Sequence, residues 1–266
     1  MRIFKFWQVE SERFEIDGNP ILIKCYGGSN VSDEDARAQA REKIAKVKRR
    51  INGDRRVFET YETEIREEVV SFLSEEAVIT RNRYGAQVLN LQNIMVLDID
   101  KPKTSFFDLF RKRDDSSDKQ KIIEMVRKLA QKPAYRELGL RIYETSKGIR
   151  VIVVGKTFNP ASSATNEMMK EFNSDNLYRF LCQKQKCFRA RLTPKPSRIK
   201  IRAYRVKFPR SAEEEAPFRE WLAGYEHASQ GFSTCRFVEQ IGPGLLPDVI
   251  RLHDEISGAY RDQRLA

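Results

Sequence analysis

The chain has 266 residues, 40% of them apolar and 33% charged, with a formal net charge of +11; that is enough for one large domain or two small ones around a real core. No apolar run approaches the roughly 18–20 residues that cross a bilayer, and the N-terminus MRIFKFWQVE has neither an apolar h-region nor a small-residue cleavage site. Four scattered cysteines (Cys25, Cys182, Cys187, Cys235) exclude a disulfide framework, and the Cys182–Cys187 spacing is wrong for a zinc knuckle, so the expectation is a reduced, cytoplasmic protein with no membrane partner.

In chain order, Ile3–Val9 and Pro20–Tyr26 are aromatic and β-branched runs, expected as strands around the turn-forming Asp17-Gly18-Asn19. Ser32 followed by Asp35 is a capping pattern, and Ala36, Ala40, Ile44, Val47 and Ile51 make one apolar helical stripe that Asn52-Gly53 ends. Glu64–Leu73 fits either a short helix or an alternating strand. Ala86–Gln92 and Ile94–Ile99 read as strands, and Lys101–Ser117 as a loop. Ser117 to about Gln131 reads as a helix with Ile122, Val126 and Leu129 facing inward. Leu140–Thr145 and Ile149–Val154 are strands joined by the tight turn Ser146-Lys147-Gly148. Ser163–Phe172 and Asn176–Leu181 look helical, Cys187–Leu192 and Ile199–Val206 extended, and Glu213–His227 and Leu246–Ser257 helical again. The expected fold class is α+β: a palm- or RRM-like βαββ core sheet with helices on one face. Residues 1–92 form an N-terminal strand-helix portion, 93–210 the core with a basic segment, and 211–266 a helical tail.

Charge is concentrated in Asn176–Arg210, which carries twelve Lys and Arg residues and no Asp or Glu, leaving the rest of the chain close to neutral. Tyr178, Phe180, Phe188, Tyr204 and Phe208 are interleaved with these cations. Cations for phosphates and rings for stacking are the composition of a nucleic-acid surface, and Arg189, Arg191, Lys195, Arg198, Lys200 and Arg202 are its candidate backbone contacts. With no helix-turn-helix or zinc finger visible, single-stranded DNA or RNA is the expected partner. A solvated basic face without a partner is the alternative.

Asp98 and Asp100 end an apolar strand two residues apart, so both carboxylates leave one face, about 6–7 Å apart. Two carboxylates so placed are costly unless a cation sits between them, and Mg²⁺ or Mn²⁺ with open positions for phosphate oxygens is the natural one; the alternative is that Asp100 caps the strand end before Pro102 and Asp98 is structural. The same Asp-x-Asp opens the aspartyl-nucleophile phosphatases, but Lys101-Pro102 follows where those need a small residue and Thr or Val. In the turn after Glu144, Gly148 permits close backbone approach and Lys147 and Arg150 add positive charge, a binding element for a nucleoside triphosphate. His253 reads as a surface or packed histidine rather than a general base.

Over about residues 94–206 the chain resembles the archaeo-eukaryotic primase (primase-polymerase) superfamily. Asp98 and Asp100 match its first metal motif, and Thr145-Ser146-Lys147-Gly148-Ile149-Arg150 falls where its Ser-spacer-His hairpin belongs, with Arg150 standing in place of His. Arg191-Leu192-Thr193-Pro194-Lys195-Pro196-Ser197-Arg198-Ile199 looks like its Pro-Lys-x-x-Arg-Ile segment. The resemblance implies a metal-dependent nucleotidyltransferase, or a degenerate relative, with Asp98 and Asp100 as catalytic metal ligands. It also implies Asp175 as the nearest third acid, and Ser146, Lys147 and Arg150 at nucleotide phosphates. The alternatives are a non-catalytic nucleic-acid-binding or scaffolding protein, and a basic surface for another protein's acidic face.

Overall fold

The computed structural model describes residues 1–16, 18–53, 64–101, 115–204 and 207–266. The chain is mixed α/β with antiparallel sheets. β1 (Phe6–Ile16) and β2 (Asn19–Ser29) form a long hairpin; β1 starts three residues later than its apolar run and ends seven later, β2 exceeds its run at both ends, and α1 (Asp33–Ile51) packs across the pair. Ser32 caps α1 by accepting from the Asp35 amide, three acids occupy the first turn and three bases the last, as the helix dipole favours. Gly27 brings strand and helix together: a Cβ there would lie 1.9 Å from the Ala36 carbonyl oxygen.

β3 (Glu68–Ser74), β4 (Ala77–Arg81), β5 (Gln87–Leu91) and, much later, β9 (Phe188–Arg191) form one antiparallel sheet in that order. The ambiguous 64–73 stretch is thus resolved toward strand. β6 (Val96–Asp100), α2 (Asp115–Ala130), β7 (Gly139–Thr145) and β8 (Gly148–Val154) follow one another and supply a second sheet, ordered β11-β7-β8-β6, with β11 (Cys235–Ile241) and β6 as its two edges. The expected loop 101–117 falls almost wholly outside the described residues. α3 (Ser163–Glu171), α4 (Asn176–Gln185), α5 (Ala212–Ser229) and α6 (Asp248–Ser257) complete the helices, and β10 (Phe232–Ser233) pairs in parallel with β12 (Arg264–Leu265).

Helices cover both faces of the β6-containing sheet, which corrects the expectation of helices on one face. Lys119 of α2 donates to Glu144 of β7 on one side. On the other, α6 places His253 edge-on to the Tyr143 ring and Asp254 against Arg141. All seven residues of β8 are buried accordingly. A strand hidden on both faces reads as the nearly continuous apolar run seen in IRVIVV rather than as an alternation. Each such Ile or Val contributes roughly 1.5–3 kcal/mol relative to exposure. Among the described residues, no helix is long and apolar enough to cross a membrane.

The second correction concerns Ile199–Val206. Pro196 opens a 3-10 turn over Pro196–Ile199, and Lys200 ends it in the left-handed region at φ 61° with the Ile201 amide donating to the Pro196 carbonyl. Ile201–Tyr204 has no strand partner among the described residues, and positions 205–206 lie outside them. The Ile-Lys-Ile-Arg alternation imitates a strand, but the proline and the reversed Lys200 turn the chain away from any sheet edge.

Candidate phosphate and metal site

β6 is the edge strand of its sheet, and this sets the position of Asp98. Its ladder bonds with β8 run through odd positions, for example from the Val153 amide to the Met95 carbonyl at 2.9 Å. Asp98 and Arg150 are therefore directly opposed in a non-hydrogen-bonded pair, the kind in which side chains lie closest. The outward-facing backbone of Asp98 is satisfied from the other side. The Asp175 amide donates to the Asp98 carbonyl at 2.8 Å, and Ser174 Oγ lies 3.2 Å from the same oxygen. Asp175 is also the N-cap of α4, with one carboxylate oxygen accepting from the Tyr178 amide at 2.8 Å. Three acids from two distant stretches thus converge. Burial, and then the charges of Asp98 and Asp175, push the Asp100 carboxyl above its ordinary value.

Cations gather around them. Arg191 on β9 and Arg198 in the 3-10 turn act electrostatically on Asp98, and Lys147 and Arg198 on Asp100. Burial, with Arg198 and Arg150 next, pushes the Arg191 guanidinium down to about 10. Burial and then Arg191 and Arg198 lower Lys195. Arg191 Nε and Arg198 Nη1 are buried without a hydrogen-bond partner among the described residues. Unsatisfied guanidinium nitrogens cost about 1–3 kcal/mol each or more. Fork-shaped donors held apart by mutual repulsion are what an oxyanion would satisfy.

The other expected residues are placed differently. Lys147 is exposed at the hairpin tip, where its carbonyl accepts from the Lys101 amide, and Ser146 beside it is half-buried. Gly148 serves the protein's own backbone rather than a ligand: a Cβ there would meet the Ile99 carbonyl oxygen at 2.1 Å. Arg150 is 4% exposed. Its Nη1 donates to the Arg191 carbonyl at 3.1 Å and lies 3.0 Å from His253 Nε2, so it supports the site from behind.

The basic segment is not one continuous stripe. Arg189 is paired with Glu67, and Arg210 with Glu68 and Glu215. Lys200 is exposed, and Arg202 lines a separate cavity of about 570 Å³ with Ala203, Tyr204 and Trp221. Most of the interleaved rings are internal: Phe188 is fully buried, and the Tyr178 hydroxyl bonds the Arg189 backbone. Tyr204 packs against Phe218 and Trp221, whereas Phe180 is exposed.

Sequence reasoning missed the polar chain behind Arg150. His253 is fully buried, and its place with Ile250 and Ser257 on the buried stripe of α6 was the available signal.

Asp98 and Asp100 offer hard oxygen donors, and Asp175 is near enough to act electrostatically on Asp100. This suits an ion that takes one or two carboxylates and completes its shell with water and phosphate. Among the described residues, no cluster of three or more His, Cys, Asp or Glu side chains forms a ready-made metal cage. Compared with known proteins, the chain matches no family model, no curated protein and no solved structure.

Proposed function

We propose that the cluster around Asp98 and Asp100 binds the phosphates of a nucleoside triphosphate or of single-stranded nucleic acid. We further propose that the chain is a metal-dependent nucleotidyltransferase of the primase-polymerase kind, with β6-α2-β7-β8 as its palm-like unit. The observation that carries this reading is the pair of buried nitrogens, Arg191 Nε and Arg198 Nη1, that have no hydrogen-bond partner among the described residues, near an Asp100 carboxyl raised by burial and then by the charges of Asp98 and Asp175. Carboxylates alone would suit a cation and arginines alone an anion. The two together suit a metal–phosphate complex.

Asp98 and Asp100 would hold Mg²⁺ or Mn²⁺, which supplies positive charge to phosphate oxygens. Arg191 and Arg198 would grip phosphate through the unused guanidinium edges, with Lys147 and Lys195 adding charge from the exposed side. Ser146 stands at the hairpin tip, within one residue of Lys147, as a neutral hydroxyl donor. Lys200 and Arg202 would extend the cationic path for a strand leaving the site.

A binding-only reading has one observation in its favour: Asp175 uses a carboxylate oxygen to cap α4, which weakens it as a third metal ligand. The experiment is incorporation of labelled nucleotide on a primed and an unprimed template with Mg²⁺ or Mn²⁺. Synthesis that disappears in Asp98→Ala/Asp100→Ala supports the enzyme. Oligonucleotide affinity that survives this double change, with no synthesis in the wild type, leaves the binding protein. Weak, salt-insensitive affinity removes both.

A further inference from the structure

A continuous buried polar chain runs behind the site, from β7 through α6 to β8 and β9. Arg141 Nη2 donates to Asp254 Oδ2 at 2.7 Å, and both side chains are buried. Asp254 Oδ1 lies 2.8 Å from His253 Nδ1, and His253 Nε2 lies 3.0 Å from Arg150 Nη1, which also donates to the Arg191 carbonyl. The Cys235 thiol lies within hydrogen-bond reach of His253 and 3.2 Å from Ser257 Oγ, and the Tyr143 ring closes the pocket edge-on at 5.2 Å.

The tautomer follows from donor inventory. A guanidinium only donates, so His253 Nε2 must accept, which leaves the proton on Nδ1 facing the Asp254 carboxylate. Arg141 in turn has Tyr143, Gln240 and Tyr260 as further acceptors and cannot turn away from Asp254. Each member of the chain fixes the next. Its last bond falls on the backbone of Arg191, whose guanidinium is close enough to feel the charge of Asp98.

We propose that His253, oriented by Asp254, is a positioning residue: it holds the Arg150 guanidinium against the Arg191 carbonyl and so fixes where β9 presents Arg191 to the site. This rests on the phosphate-site reading above. Arg150 itself touches no ligand in this account. Its role is to join the two sheets at the one strand position that carries a site cation.

The test is titration of the full chain with inorganic triphosphate and Mg²⁺, with melting temperature recorded in parallel. His253→Leu is expected to weaken binding by about tenfold, the lower end of the cost of losing an outer orienting partner, because His253 acts on Arg191 through Arg150. His253→Gln, whose amide oxygen can accept from Arg150, is expected to restore affinity to within about threefold at similar melting temperature. Affinity retained in His253→Leu, while Arg198→Ala abolishes it, overturns the positioning role and leaves the phosphate site standing. A wild type that binds no triphosphate overturns both. Should His253→Leu fail to fold, the wild-type ¹⁵N imidazole spectrum decides, with His227 the only other histidine. A proton on Nδ1 and none on Nε2 is expected, and a protonated Nε2 overturns the proposal.

Discussion

Asp98 and Arg150 face each other across β6 and β8, while the Asp175 amide holds the outer side of Asp98 through its carbonyl. One acid is thereby fixed from both sides of an edge strand, at the point where the β3-β4-β5-β9 sheet brings in Arg191. The strand order, not any one motif, creates the meeting of charges.

Gly148 lies opposite Asp100, and the space for its missing side chain is filled by the Ile99 carbonyl oxygen. Gly148→Ala is expected to force the two strands apart, costing about 1–3 kcal/mol in urea unfolding, and to weaken triphosphate binding through the displaced Asp100. Unchanged stability would mean that the hairpin relaxes freely and that the close approach carries no constraint.

Arg198 has a buried nitrogen without a hydrogen-bond partner among the described residues, and its charge repels Arg191. Arg198→Ala is expected to leave folding stability unchanged or slightly higher. In oligonucleotide binding, it is expected to lower the slope of log affinity against log salt by about 1. A large stability loss would show that Arg198 is a structural cation.

Asp100 titrates above its ordinary value because of burial and then the charges of Asp98 and Asp175. A carboxyl raised in the folded state favours folding when protonated. Its contribution is complete below the unfolded value of about 4 and is lost as pH rises through the higher folded value. Asp100→Asn is therefore expected to stabilise the protein in EDTA at pH 7. Because the residue is exposed, the gain should stay below about 1 kcal/mol, and it should vanish below about pH 4. Denaturant midpoints at the two pH values check this, and a loss of stability at pH 7 would contradict it.

Much of the frame was legible because local signals agreed with the fold: the Ser32 cap and its stripe predict α1, and the apolar runs 94–99 and 149–154 predict β6 and β8. The pairing of β9 with β5 rather than with a neighbour in sequence was not legible, since a strand's edge partner leaves no local trace. Ile199–Val206 reads as a strand, yet Pro196 and Lys200 bend its start into a turn, and Arg202 lines the cavity beside Trp221. Arg189 looked like its neighbour Arg191 and differs only because Glu67, far away in sequence, pairs with it. His253 carried a weak signal on its helix stripe, but its partner Arg150, and Arg141 that bonds the neighbouring Asp254, lie more than a hundred residues away.

The central claim is that Asp98 and Asp100 and the unsatisfied arginines beside them receive one metal–phosphate complex. Calorimetric titration of inorganic triphosphate, with Mg²⁺ and with EDTA, tests it on the wild type and on Asp98→Asn/Asp100→Asn. The account predicts binding that needs Mg²⁺ in the wild type and loses that dependence in the double variant. Equal affinity with and without the ion, or none in either protein, would contradict it.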